Sequence, residues 1–381
     1  MIPGITGVLN ARWPQQILSQ NWGIVALLLA IGLFGSVVLY SAAGGSLSPW
    51  ALNHAVRLLL FTLMMLLLSL VPPSRWLALA LPIYGVVLLA LVGVEAVGGF
   101  GGGSQRWLDL GFIRLQPSEL MKVALVLALA RVFHFLPLSY VSRPAGLWLP
   151  LLLIALPVGL VLLQPDLGTS LTLLGGGAVI IFLAGTSIWY FLVPGGLLLA
   201  ALPLLYRSLH DYQQRRVEIF LNPELDPLGA GYHITQSKIA IGSGGATGKG
   251  FLQGSQSHLY YLPEPHTDFV FATMAEEWGL VGGALLLLAY GLVFAWGWRV
   301  ALKAADPFQR LLAGGLTMTI FFYVAINLMM VMGLAPVVGL PLPLMSYGGS
   351  AMMTVMIAIG ILLGIERANR GRATEPGLGT P

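Results

Sequence analysis

The sequence predicts an all-α polytopic membrane protein with about ten transmembrane helices, and three observations carry that reading. The 381 residues are 57% hydrophobic and only 9% charged, where a soluble globular chain carries about 25% charged residues. The apolar runs are long and do not alternate, which favours helices over a barrel. At about 20 residues per crossing, the length accommodates roughly ten to twelve helices. Cysteine is absent, which excludes disulfides and thiol chemistry. The 19 basic residues are scattered, so the +4 charge does not point to nucleic acid.

The spans follow in order. Arg12 precedes 41 positions without Asp, Glu, Lys, Arg or His. Span 1 lies within them, at about 22–42. It follows one early Arg and lacks an A-x-A-like cleavage site, so it reads as a span and not a removed signal peptide. Span 2 is mostly the run Leu58 to Ser74, and the tight Pro72-Pro73-Ser74-Arg75 connection leads into span 3 at about 76–96. A polar Gly-rich loop, 98–109, precedes span 4, which starts near Pro117. Span 4 is the least apolar, because Glu119, Lys122 and Arg131 lie in or beside it. Span 5 covers about 147–163. Positions 167–206 are 40 uncharged residues, enough for spans 6 and 7 with a break near Gly185-Thr186-Ser187. The segment 207–267 turns polar and reads as a folded loop or short-helix excursion within a single ten-span domain, 1–381. Span 8 starts near Asp268 and runs to about 298. The 55 uncharged positions 311–365 give spans 9 and 10, separated by the Pro-rich stretch 335–343, which cannot be regular helix.

Ten spans put both termini on one side. With the termini cytoplasmic, the inner segments hold Arg12, Arg75, Arg131, Arg143, Arg299, Lys303, Arg310, Arg367, Arg370 and Arg372. The short outer segments hold Arg57, Arg106, Arg114 and Lys122. The positive-inside rule therefore makes the 207–267 loop extracytoplasmic.

The densest polar patch is Leu262-Pro263-Glu264-Pro265-His266-Thr267-Asp268-Phe269, at the boundary between that loop and span 8. Two carboxylates, a His and a Thr gather there at a membrane surface. Helix capping by Thr267 or Asp268 explains them as well as chemistry does. Glu119 and Lys122, at i and i+3, are either a mutually neutralising pair or the wall of a polar cavity. Asp166 reads as an N-cap of span 6, and Arg57 as a residue snorkelling to the interface. The 241–250 stretch imitates a phosphate loop. It fails the Walker pattern, with Ser243 for the first Gly and Gly250 for the Ser/Thr, so a loop shaped by glycine is the favoured reading. The six His show no zinc-ligand spacing.

Several strings resemble one family when taken together. They are Gln105-Arg106-Trp107-Leu108, Gln116-Pro117-Ser118-Glu119, Gln164-Pro165-Asp166-Leu167-Gly168-Thr169, the 229–256 run, the 262–269 patch, and the run from Pro341 to Ser350. The chain is similar over about 22–367 to the SEDS family (shape, elongation, division and sporulation). The strings 236–245 and 275–279 favour its elongation branch over its division branch. Pro265 departs from the family pattern. The resemblance implies polymerisation of peptidoglycan glycan strands from lipid II at the bacterial cytoplasmic (inner) membrane, with a class B penicillin-binding protein and other elongation-complex membrane proteins as partners.

With that implication, Asp268 is expected to be the general base, with Glu264, His266 and Thr267 orienting it or the acceptor. Arg57, Arg106, Arg114, Lys122, Arg215, Arg216 and Lys238 form the pool for pyrophosphate binding. Glu119 and Asp166 are candidates to hold a divalent cation, Mg²⁺ or Mn²⁺, and no organic cofactor is expected. A lipid II flippase, a division-type polymerase and a scaffold without catalysis stay open.

Overall fold

The computed structural model describes residues 13–97, 99–101, 104–109, 114–208, 211–226, 229–259, 261–262 and 264–373. Beside the short helices Trp13–Leu18 and Leu138–Val141, seven longer helices are described before the polar loop: α1 (Trp22–Ala42), α2 (Ala51–Ser69), α3 (Pro73–Val97), α4 (Pro117–Phe135), α5 (Pro144–Leu163), α6 (Leu167–Leu183) and α7 (Trp189–Ser208). Two longer helices fold within the loop, α8 (Asp211–Leu221) and α9 (Ala230–Ser243), with single turns at Pro223–Leu225 and Ser255–His258, followed by α10 (Val270–Lys303), α11 (Pro307–Val331) and α12 (Gly349–Ala373). Seven of them are long and apolar enough to cross a membrane; α6 and the first part of α7 are shorter apolar helices. The only described strands are three short ones: β1 (Gly99–Gly101), β2 (Ser104–Asp109) and β3 (Arg114–Leu115), in an antiparallel order β1-β2-β3. Helix α2 starts about two turns before the predicted run, which places Arg57 inside it.

The span that the sequence marks as least apolar, α4, is central in the bundle. α4 packs on α3, α5, α6, α11 and α12, and Glu119, Lys122 and the apolar residues 123–130 are all buried. Its polar groups are tolerated because they satisfy one another. Lys122 Nζ donates to Glu119 Oε1 at 2.5 Å and to the Tyr323 hydroxyl of α11 at 2.7 Å. The Tyr323 hydroxyl in turn donates to Glu119 Oε2. Burying two charges is tolerable only with such pairing. The i, i+3 spacing therefore produces the neutralising pair, with a third member 201 residues away from Lys122 in sequence.

Helix α10 has 34 residues, about 50 Å of helix against a hydrocarbon core of about 30 Å. It is broken at Gly279, where φ is 62° and ψ −161°. The glycine-rich segment 244–250 closes the break. Leu280 N and Val281 N donate to the carbonyls of Gly245 and Ala246, and Lys249 N and Gly250 N donate to those of Glu276 and Glu277. A Cβ at Gly248 would collide with the Glu277 carbonyl, which is why the stretch has its phosphate-loop look. Its amides serve the broken helix, as the glycine-shaped reading expects.

Candidate active site

The 262–269 patch folds against the Pro-rich stretch between α11 and α12. Tyr347 N donates to His266 O at 2.8 Å, and Ser346 Oγ donates to Thr267 O at 2.6 Å. Leu342 N donates to that same Ser346 hydroxyl at 2.8 Å. Asn327 of α11 is fully buried, and its Nδ2 bridges Asp268 O at 2.9 Å and Leu340 O at 2.7 Å. This amide ties the two irregular segments to one helix. The third wall comes from α2. Trp50 stacks on the His266 ring, with centroids 4.0 Å apart and planes 8° apart. The Arg57 guanidinium lies 4.6 Å from the Tyr347 ring centre, a cation–π contact and not a side chain merely reaching for the interface. His54 hydrogen-bonds the Leu344 carbonyl at 3.0 Å.

Asp268 sits where these segments meet. Neither Asp268 nor Thr267 caps α10, whose N-cap is Phe269 without a side-chain hydrogen bond; that capping expectation is corrected. The Asp268 carboxylate accepts no hydrogen bond among the described residues. A Cβ at Gly339 would lie 3.6 Å from Asp268 Oδ2, so the chain beside it stays open. Burial first, then the neighbouring Glu264 charge, push the Asp268 pKa up from 3.8 to about 6. Glu264 is exposed and lies 3.5 Å from His266 Nε2. Thr267 Oγ1 donates to Glu264 Oε2 at 3.2 Å. Burial lowers the His266 pKa, against the opposing pull of Glu264, which keeps that ring neutral near pH 7. Pro265 presents its carbonyl to Thr273 Oγ1 at 3.3 Å; the contact uses backbone only and leaves its departure from the family pattern unexplained.

The remaining expected residues fall in three places. Arg106 packs on the turn before α6, donating to Gln164 O at 3.2 Å and Pro165 O at 2.7 Å, with Asp166 Oδ2 3.8 Å away. Asp166 caps α6 as its sequence position predicts, accepting from Thr169 N at 3.1 Å and Thr169 Oγ1 at 3.0 Å. Glu119 and Lys122 lie in the buried triad with Tyr323. Lys238 is exposed on α9, its stem against Gly333 at the end of α11, and Arg215 is exposed on α8. The side chains of Arg114 and Arg216 lie outside the described residues. Reading the residues one by one missed Trp50, Tyr323, Asn327 and Ser346. Asn327 carried a usable signal, as a lone amide in an uncharged run; polar groups at membrane depth usually have an assigned partner.

A second polar cluster stands beside the break in α10. Glu276 accepts from Lys249 Nζ at 2.7 Å, Ser255 Oγ at 3.1 Å and Gln256 N at 3.0 Å. Glu277 accepts from Ser41, and His258 Nε2 lies 3.4 Å from it. These contacts tie α1 and the polar loop to α10.

Residues 18–371 match the family model described as "Cell cycle protein", of FtsW, RodA and SpoVE. The chain is 44% identical over 345 residues to the peptidoglycan glycosyltransferase MrdB of Escherichia coli K12, covering 90% of this chain and 92% of that one. Among solved structures, it matches a chain from a study of the structural coordination of polymerization and crosslinking by a peptidoglycan synthase complex. The TM-score there is 0.81 at 37% identity, covering 92% of this chain and 99% of that one. The rod shape determining protein RodA of Thermus thermophilus matches with TM-score 0.69 at 35% identity, covering 92% and 98%. A polytopic helical fold with this kinship is that of a membrane-embedded peptidoglycan glycosyltransferase. The chain belongs to the SEDS family.

Proposed function

We propose that this chain is a peptidoglycan glycosyltransferase of cell elongation, polymerising lipid II with Asp268 as general base. The observation that carries the reading is the open Asp268 carboxylate, which burial and Glu264 bring to a pKa of about 6. A base of that pKa is mostly ionised at neutral pH and still accepts a proton, the range general-base catalysis needs. The reading rests also on the kinship with MrdB.

A sugar hydroxyl of the acceptor gives its proton to Asp268 and attacks the anomeric carbon of the donor. A new glycosidic C–O bond forms with inversion, the anomeric C–O bond to the pyrophosphate breaks, and undecaprenyl pyrophosphate leaves with the electron pair. Outside the cytoplasm no nucleotide sugar is at hand, so a lipid pyrophosphate donor supplies its own leaving group. Positive charge must meet the departing pyrophosphate. Arg57 is a cation of this wall, held against Tyr347. Arg106, Arg114, Arg215, Arg216 and Lys238 complete the pool, while Lys122 is held in the buried pair with Glu119 and stays with the scaffold. Glu264, His266 and Thr267 orient the base or the acceptor. In this reading both termini are cytoplasmic and Asp268 faces outward. A class B penicillin-binding protein is the transpeptidase partner, in line with the synthase complex that the chain resembles.

A divalent cation, Mg²⁺ or Mn²⁺, would meet a site already committed to other partners. Both carboxylate oxygens of Glu119 and both of Asp166 accept hydrogen bonds, and Lys122 and Arg106 stand beside them. These carboxylates fit a cation poorly as arranged, so the mechanism routes no step through one. Excess chelator is expected to leave the rate unchanged if the cations of the chain suffice; loss of activity, restored by Mg²⁺ or Mn²⁺, would bring the metal back.

The test of the function is the formation of glycan ladders from lipid II by detergent-solubilised protein, with and without the penicillin-binding partner. A flippase has no leaflets to work between in detergent and makes no polymer, and a scaffold likewise makes none.

A further inference from the structure

At the far end of α10 from Asp268, an open cavity of about 440 Å³ lies between the start of α1, α10 and α12. Its lining includes Asn21, Trp296, Arg299, Lys303, Glu366 and Arg370. The one acid among them is committed. Glu366 accepts from Trp296 Nε1 at 2.9 Å and from Asn21 Nδ2 at 3.2 Å, and it pairs with Arg370. Asn21 is fixed as well, because its Oδ1 caps α1 through Ile24 N at 3.4 Å. Arg299 and Lys303 differ: neither makes a hydrogen bond or ion pair among the described residues. The wall is therefore built and rigid on the acid side, and carries two unmatched cations on the other.

The surroundings say what kind of anion fits. Trp22, next to Asn21, and Leu302, next to Lys303, are 44% and 75% exposed. Exposed apolar side chains flanking a cationic cavity at a helix end match an acyl chain beside a phosphate headgroup, with an aromatic at the interface. We propose that this cavity binds the headgroup of an anionic phospholipid, with Arg299 and Lys303 holding the phosphodiester. The site lies at the other end of α10 from Asp268, since the unbroken part of that helix after Gly279 alone runs about 36 Å, enough to cross a hydrocarbon core of about 30 Å. It is therefore separate from the polymerase site.

The test is native mass spectrometry of the full chain in detergent, titrated with phosphatidylglycerol or phosphatidylcholine. The wild type should retain phosphatidylglycerol in preference. The variant Arg299→Gln/Lys303→Gln should lose roughly 30-fold in affinity for it, and Lys303→Gln alone roughly fivefold, at the usual worth of a cation at an anionic lipid surface. Arg143→Gln removes a surface cation outside the cavity and should change nothing. Equal retention of the two lipids, an unaffected double variant, or an equal loss in Arg143→Gln would each overturn the site. Displacement of the lipid by excess inorganic phosphate would overturn the lipid assignment in favour of a free-phosphate site. Lys303 is exposed and unpaired, so its single variant keeps the test informative should the double variant fold poorly.

Discussion

Asp268 and Glu119 are both carboxylates drawn into the fold, Asp268 partly and Glu119 fully, and their surroundings could hardly differ more. Glu119 sits in the middle of the helix bundle with a lysine on one oxygen and a tyrosine on the other. Asp268 sits at the mouth of α10 with no donor on either oxygen among the described residues, and with another carboxylate nearby. A satisfied carboxylate stabilises a fold and has little basicity left to offer; an unsatisfied one is held at a cost and is poised to take a proton. The difference separates structure from chemistry more sharply than residue type or sequence spacing does.

The largest expected effect breaks the comparison at its proposed catalytic end. Asp268→Asn keeps the volume and the Asn327 contact to the backbone carbonyl, yet removes the proposed base. Polymerisation should fall by at least about 10²-fold, the usual worth of a placed base, with partner binding retained and a melting temperature at or above that of the wild type, since the cost of the buried charge is gone. Normal ladders from this variant would remove Asp268 from the mechanism.

At the structural end, Lys122→Met should destabilise the protein by about 3–5 kcal/mol, because it leaves Glu119 buried without its cation. The double variant Glu119→Leu/Lys122→Met should recover most of that loss in a thermal unfolding measurement, as paired charges replaced together usually do. A stable double variant that makes no polymer would move Lys122 out of the scaffold and into the pyrophosphate site. A smaller effect is expected for Asn327→Ala. It leaves the Asp268 and Leu340 carbonyls without their shared donor, about 1–3 kcal/mol for each group that stays dry. Loosening of the base should lower kcat more than it raises KM.

Much of this was legible in the residues themselves. The apolar runs placed the long helices, with the bounds of α1, α3, α5 and α10 within about five residues, and the failure of the Walker pattern left 241–250 as a loop shaped by glycine, whose amides the structure places on the broken helix. The start of α2 was missed because Arg57 was taken as the edge of the membrane, whereas Tyr347 lets that charge sit inside a helix. The neutralising role of Glu119 and Lys122 was half readable from their spacing. Tyr323 was not, since an i, i+3 pattern carries no information about a helix two hundred positions on. Likewise the 262–269 patch announced itself by composition, while the groups that hold it, Asn327 and Ser346, come from apolar stretches where a single amide or hydroxyl draws little notice.

The pH dependence sharpens the comparison by the smallest step. With a pKa of about 6, Asp268 is protonated and inactive below that value, so kcat/KM should fall with decreasing pH with a limb near 6. The same shift has a stability sign. The folded chain holds this proton more tightly than the unfolded one, whose group titrates near 3.8. The cost of burying the charge is therefore fully present above about 6 and disappears below about 3.8. Glu264 raises the pKa by its charge, after burial. Glu264→Gln should therefore move the acidic limb to lower pH and leave the plateau close to the wild type, as read from polymerisation rates across a pH series. Glu264 is exposed, and its charge is partly screened by water and salt, so the shift should shrink as ionic strength rises. A limb that stays put at low salt would mean that burial alone sets the basicity of Asp268, and a plateau that collapses would place Glu264 on the acceptor itself.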